Sequence, residues 1–366
     1  MPRNAEQPIR IRFEQTLYPH WGGLSGYVQF VRYLNPERYR TVTHVASDND
    51  EDLPRWLNPV RPWLRQFIRR GQMPWYKLSD LNAELSAAAD CLGRRQDIVH
   101  FLDGEHSGQF LPGILRLAGL SGIRTVATFH QPPSVLRDVL NPLILRRFDQ
   151  IVLVSPSQLS YFRQHVAGDR LHVILHGVDT AFFRPATTQP AAPIRCITVG
   201  HWLRDWEVLR AVACRMPSIT FDIVTNRDIA LDGLPNLRQH RNIDDAALAE
   251  LYRSADILFL PLIESTANNA LLEGIASGLP VVATDIEAVR AYLPGGEGIL
   301  VAGNRPEGFV KALGRLQEDS ALRARMGRCA RARAEALGWP RLVAQYESLY
   351  EAALARPPVS WRRSDP

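Results

Sequence analysis

Ile263-Glu264-Ser265-Thr266-Ala267-Asn268-Asn269-Ala270-Leu271-Leu272-Glu273-Gly274-Ile275-Ala276-Ser277-Gly278-Leu279-Pro280-Val281-Val282-Ala283-Thr284-Asp285 reads as a turn, a helix and the strand that follows it. An apolar strand closes at Pro261, and small polar residues turn the chain. A helix is expected to start near Thr266, a good N-cap, and to stop at Gly278, a good C-cap. Pro280 opens the next strand. A helix that begins with small residues directly after a strand exposes backbone N–H groups. Together with the helix dipole these form an anion site suited to a diphosphate. Thr266, Ala267, Asn268, Asn269 and Ala270 are the candidate donors. Glu273 lies about two turns into the helix, flanked by Leu271, Leu272 and Ile275. There it would accept hydrogen bonds from hydroxyl groups of a ligand held at the helix start. The alternative is an ordinary capped helix with Glu273 on a solvated face.

Outward from this stretch, short apolar runs alternate with helical segments. Strands are expected at Ile9–Phe13, Thr41–Ala46, Asp97–Leu102, Arg124–Phe129, Gln150–Val154 and His172–Leu175. The polar, Pro-rich patch Arg184–Pro193 reads as a linker. Beyond it strands are expected at Ile194–Val199, Ile219–Val224, Asn236–Gln239, Ile257–Leu260, Val281–Thr284 and Gly298–Val301. Alternation on both sides of a linker implies an α/β protein of two doubly wound, Rossmann-like domains. Ligands of such sheets bind at the carboxyl ends of strands, and the default site is a cleft between the domains. The expected divisions are 1–185, 186–338, a crossover helix 339–355 and a disordered tail 356–366. Pro340 falls in the first turn of that last helix.

The 366 residues are 46% hydrophobic and 22% charged, a mix suited to a globular enzyme with a core in each half. No run approaches the ~20 apolar residues of a membrane span, and the start lacks the apolar core of a signal peptide. The expected location is the cytoplasm. Cys91, Cys196, Cys214 and Cys329 are isolated, which argues against a zinc site or a disulfide framework and for buried free thiols. A net charge of +5 suits anionic ligands or an anionic membrane surface. It is below what a dedicated nucleic-acid binder needs.

The run Asn269–Asp285 resembles the donor-binding signature of retaining glycosyltransferases of family four, of GT-B fold: E-x7-E, then a small-Gly-x-Pro-Val-Val-Ala-Thr strand. The resemblance implies that Glu273 binds ribose hydroxyls. The first Glu of the signature, which touches the transferred sugar, falls on Ser265, with Glu264 one place before it. His176-Gly177-Val178-Asp179-Thr180-Ala181-Phe182-Phe183-Arg184-Pro185 is similar to the N-G-V-D-x-x-x-F-x-P segment before the family's linker, with His176 in place of Asn. In Gly200-His201-Trp202-Leu203-Arg204-Asp205-Trp206, His201 stands at the family's Arg position and Trp206 near its Lys. Arg204 is the permanent cation of that loop and suits bidentate capture of phosphate; the alternative is a surface pair with Asp205 or Glu207.

Tyr18-Pro19-His20-Trp21-Gly22-Gly23-Leu24-Ser25-Gly26 is a Gly-rich loop, and the resemblance puts Gly22 and Gly23 beside sugar and phosphates. Thr128-Phe129-His130 matches a Thr-x-His whose His faces the donor sugar. His20, Asp103, Glu105 and His106 are candidates for the acceptor side, and Asn242 and Ile243 for the nucleotide base. The implied activity is transfer from a nucleotide sugar to a glycan or lipid-linked acceptor. His130, Glu264 and Arg204 would be the catalytic group. No cofactor and no metal are expected. The other reading is a non-catalytic sugar-nucleotide-binding subunit.

No acidic residue occurs between Asp52 and Asp80, where Trp56, Trp63, Phe67 and Trp75 interleave with Arg55, Arg61, Arg65, Arg69, Arg70 and Lys77. Residues 55–77 suit an interfacial element on an anionic bilayer; the alternative is a packed helix with its arginines turned outward.

Overall fold

The structure, a computed structural model, describes residues 7–17, 23–24, 26–48, 55–93, 96–186, 193–229 and 233–358. His20, Gly22, residues 187–192 of the expected linker and residues 359–366 of the expected tail lie outside them. The chain divides into two compact units. The first takes residues 1–21, 30–174 and 342–366; the second takes 22–29 and 175–341.

The first unit holds a parallel sheet of β1 (Ile9–Leu17), β2 (Tyr39–Ser47), β3 (Ile98–Phe101), β4 (Arg124–Phe129), β5 (Gln150–Leu153) and β6 (Leu171–Val173), in the order β2-β1-β3-β4-β5-β6. β3, β4 and β5 are buried along their whole length, as parallel strands covered on both faces must be. β1 runs four residues past the expected end at Phe13. Glu14, Gln15 and Thr16 are polar but buried, and the ladder with β2 continues through Leu17. The helix Trp339–Ala355 contributes its later turns to this unit. There Tyr346 stacks on Phe30 at 4.0 Å, and the Tyr350 hydroxyl lies 2.8 Å from Nδ1 of His100. Burial without a counter-charge pushes His100 down to about 3.

Residues 55–77 form no single element. A 3-10 turn covers Arg55–Val60 and a helix Arg61–Arg69. Ile68 is buried, and Leu57 and Leu64 pack against the core. Trp56 and Trp63 remain 77% and 65% exposed. Trp63, Phe67 and Phe110 stack in succession.

The second unit holds β7 (Arg195–Val199), β8 (Thr220–Val224), β9 (Leu237–His240), β10 (Ile257–Leu260), β11 (Val281–Thr284) and β12 (Gly298–Val301), parallel and ordered β12-β11-β10-β7-β8-β9. Trp339 is buried beside Gly177, where a Cβ would fall 2.6 Å from the indole; this is why that turn takes glycine. His176, edge-on to Tyr27 and 5.1 Å from Trp339, is pushed down to about 4 by burial. Of the four cysteines, Cys91 and Cys196 are buried, but Cys214 is exposed and Cys329 half-buried; Cys214 sits on the outer face of an amphipathic helix. Among the described residues no helix is long and apolar enough to cross a membrane, and no cluster of His, Cys, Asp and Glu could hold a metal ion.

Candidate active site

In the second sheet the strand order reverses between β7 and β10, and in doubly wound sheets the crevice at such a reversal takes the ligand. The two strand exits there are joined. Arg204 and Leu262 form an antiparallel bridge, Ile263 N donates to Leu203 O at 2.9 Å, and Asp205 N donates to Pro261 O at 2.9 Å. The β7 exit bends sharply through Gly200 and Leu203, with φ of +82° and +54°. Asp205 caps the helix Trp206–Arg215 through Val208 N and accepts a bond from Asn304 Nδ2 at 2.9 Å. Thr284 Oγ1 accepts from Leu262 N and donates to Asn304 Oδ1, closing a polar network across the ends of β7, β10, β11 and β12.

The helix of the opening stretch covers Asn269–Ala276. Its cap is Asn268, not Thr266. The Asn268 backbone is extended, and its Oδ1 accepts from Leu271 N at 3.2 Å. At the other end Gly278 has φ +77°; Gly278 N bonds Ile275 O and Leu279 N bonds Gly274 O, satisfying the last carbonyls. Gly274 is required by close packing, since a Cβ would come 2.6 Å from Leu258.

Glu273 is 4% exposed, which rules out the solvated face. The buried Tyr252 hydroxyl donates to its Oε2 at 2.9 Å. Glu273 lines a small cavity with Asn269, Leu24, Gly26, Asp179 and Trp339, among others. The Gly-rich loop is tied to the same unit: Leu24 N donates to Asp245 Oδ2 at 3.2 Å, and Gln29 Nε2 donates to Gly23 O at 2.7 Å.

Arg204 has a different surrounding from the surface pair with Asp205 or Glu207. It is 8% exposed. Its Nε and Nη2 donate to Val199 O, Nη1 to Trp202 O, and Nη2 also to Asn268 Oδ1. Burial lowers its pKa to about 10. Around it, His201, Glu264, Ala267 and Asn269 are half-buried, while Ser265, Thr266 and Ala270 are buried. Asn242 is exposed with φ +50°, its N–H bonded to Asn226 Oδ1 at 2.7 Å, and Ile243 is half-buried. Asp244 caps the helix Asp245–Ser254 through Ala247 N.

In the first unit the order reverses between β1 and β3. Asp103, Glu105 and His106 follow β3 and are buried. Asp103 accepts from Thr16 N at 3.0 Å. Glu105 Oε1 accepts from the backbone N–H groups of His130 at 2.5 Å and Gln131 at 2.7 Å. Burial, and then the charge of Asp103, raise the Glu105 carboxyl to about 8 against the pull of those N–H bonds. The His130 ring places Nε2 2.7 Å from the Leu102 carbonyl. A carbonyl only accepts, so Nε2 carries a proton. Gln158 fixes the same turn from the other side, donating to Phe129 O and Gln131 O. His106 stacks on Trp75 at 5.1 Å and is lowered to about 4 by burial.

The structure thus groups Arg204, Glu264, Ser265–Ala270 and Glu273 in one unit, and Asp103, Glu105, His106 and His130 in the other. Tyr252, Asn304, Asp245 and Gln158 were not foreseen. Their partners are distant in sequence or are backbone groups, which no local pattern marks.

Residues 227–319 match the family model Glycosyl transferases group 1, and residues 21–182 match Glycosyltransferase Family 4. The chain is 27% identical over 332 residues to a D-inositol 3-phosphate glycosyltransferase of Paenarthrobacter aurescens, spanning 78% of this chain and 81% of that protein. Among solved structures it is similar to sucrose-phosphate synthase from Thermosynechococcus elongatus, with TM-score 0.72, 17% identity, and coverage of 94% of this chain and 99% of that one. It is also similar to Anabaena HepE in complex with UDP, with TM-score 0.64, 12% identity, and coverage of 94% and 100%.

Proposed function

The chain belongs to the family four, group 1 glycosyltransferases of GT-B fold, and from this premise we propose that it transfers a sugar from a nucleoside diphosphate sugar to a glycan or lipid-linked acceptor, with retention and without a metal. The observation that carries the reading is Glu273, a carboxylate buried beside the capped helix start at the reversal of the second sheet. On this reading the backbone amides of Ser265–Ala270 hold the diphosphate and Glu273 holds the ribose. His201 lies beside the phosphates, and Asn242 and Ile243 lie at the base. Gly22 and Gly23 approach sugar and phosphates; His130 and Glu264 contact the transferred sugar. His20, Asp103, Glu105 and His106 belong to the acceptor side. Fixed amides aimed at developing charge do the work that a divalent ion does in other transferases.

The test is release of nucleoside diphosphate from UDP-, GDP- and ADP-sugars in the presence of acceptor. Glu273→Ala is expected to lower kcat/KM by about 10–100-fold, the cost of losing a charged hydrogen-bond acceptor. Wild-type turnover in that variant refutes the role. The second reading, a sugar-nucleotide-binding subunit without turnover, is favoured by Ser265 at the position of the signature's first Glu. It predicts nucleotide binding with no product on any acceptor.

For the cytoplasmic face of a membrane as the place of action, support comes from exposed Trp56 and Trp63 among Arg55, Arg61, Arg65, Arg69, Arg70 and Lys77. Co-sedimentation with anionic but not neutral vesicles, lost in Trp56→Ala/Trp63→Ala, is the expected result.

A further inference from the structure

Arg204 is a buried cation whose four hydrogen bonds all end on neutral oxygens: Val199 O at 3.2 and 2.7 Å, Trp202 O at 3.1 Å and Asn268 Oδ1 at 3.2 Å. Among the described residues it has no carboxylate partner. A buried charge is costly unless something compensates it. The guanidinium is also built into its place. The left-handed turn at Gly200 and Leu203 wraps the β7 exit around it, and a Cβ at Gly200 would stand 3.4 Å from Nη2. Its last bond reaches the side-chain oxygen that caps the helix Asn269–Ala276, so Asn268 Oδ1 serves Arg204 and Leu271 N together.

We infer that Arg204 is a positioning residue for the anion site rather than a group that grips the phosphates. It ties the β7 exit to the cap of the helix carrying Glu273. It occupies the carbonyls of Val199 and Trp202, whose negative ends would otherwise repel an anion. It also supplies positive charge from behind the backbone, where the ligand is its compensating partner. The inference rests on the proposed nucleoside diphosphate site at that helix.

A double-mutant cycle on the full chain tests it, with Arg204→Met and Asn268→Ala titrated with UDP, GDP and ADP by calorimetry. If Arg204 works through Asn268, each single change weakens binding about tenfold or more, and the double variant falls within about threefold of the weaker single. The KM for the donor rises in both single variants, while the KM for the acceptor stays within about twofold, a split that general loosening of the fold does not give. Should Arg204→Met fail to fold, Arg204→Lys, which retains the charge and loses the fork, takes its place in the cycle. Losses that multiply in the double variant, or wild-type affinity in the single Arg204 variant, overturn the inference and leave the donor site standing. A wild-type chain that binds none of the three nucleotides overturns the donor reading and this inference with it.

Discussion

Both sheets tie strand exits together with a buried ionisable side chain, a carboxyl between the β3 and β4 exits of the first and a guanidinium at the β7 exit of the second. In the first unit the carboxyl of Glu105 collects the N–H groups of His130 and Gln131. In the second the guanidinium of Arg204 collects the carbonyls of Val199 and Trp202. A carboxyl pin consumes donors, and one raised to about 8 keeps its proton near neutral pH and adds no positive potential. A guanidinium pin consumes acceptors and adds positive potential, leaving backbone donors for an anion. The difference favours the second sheet over the first for the diphosphate of the proposed donor site.

The largest effect that sharpens this contrast is in the first unit. Glu105→Ala strands two backbone N–H groups, at about 1–3 kcal/mol each, offset by the carboxyl's own desolvation. A net loss of about 2 kcal/mol is expected, read as faster hydrogen exchange across residues 124–133. Glu105→Gln, which keeps an acceptor oxygen, should recover most of it. Equal losses in both variants break the comparison, because the pin would then depend on charge.

A pH effect comes next. With Glu105 raised to about 8 in the fold and near 4.5 when unfolded, the native state holds a proton that the unfolded state releases between those values. Stability therefore falls as pH rises from about 5 to 8. Glu105→Gln should flatten that slope in urea titrations, whereas Arg204→Lys should leave it unchanged, since Arg204 stays charged throughout this window.

On the acid side His100, His106 and His176 sit near 3, 4 and 4 while buried, so the unfolded chain takes up protons first as pH drops below about 6.5. Stability falls with acid in that window. His176→Asn in the second unit should lessen the fall in exchange protection there and leave the first unit's unchanged. The smallest effect is Asp244→Ala, loss of one helix cap, at about 1 kcal/mol in the second unit, measured by thermal melting.

Much of the fold was legible. Arg124–Phe129, Ile257–Leu260, Val281–Thr284 and Gly298–Val301 form strands over the expected residues, and Ile257–Leu260 shows why most plainly, since a buried parallel strand reads as an unbroken apolar run. The extension of β1 was hidden by Glu14, Gln15 and Thr16, polar side chains buried by tertiary contacts. Thr266 and Asn268 are both good caps in sequence. The second bond on Asn268, from Arg204 sixty-four residues away, is a feature the local pattern does not contain. Glu273 was legible through its motif, but its partner Tyr252 lies on another helix, twenty-one residues away. The alternation also gave no sign that residues 22–29 group with the second unit.

The most direct measurement of the central claim is hydrogen exchange of the full chain with and without UDP, GDP or ADP. The account predicts that one of these protects residues 200–205 and 262–276. Protection confined to other segments, or none with any nucleotide at saturating concentration, would contradict it.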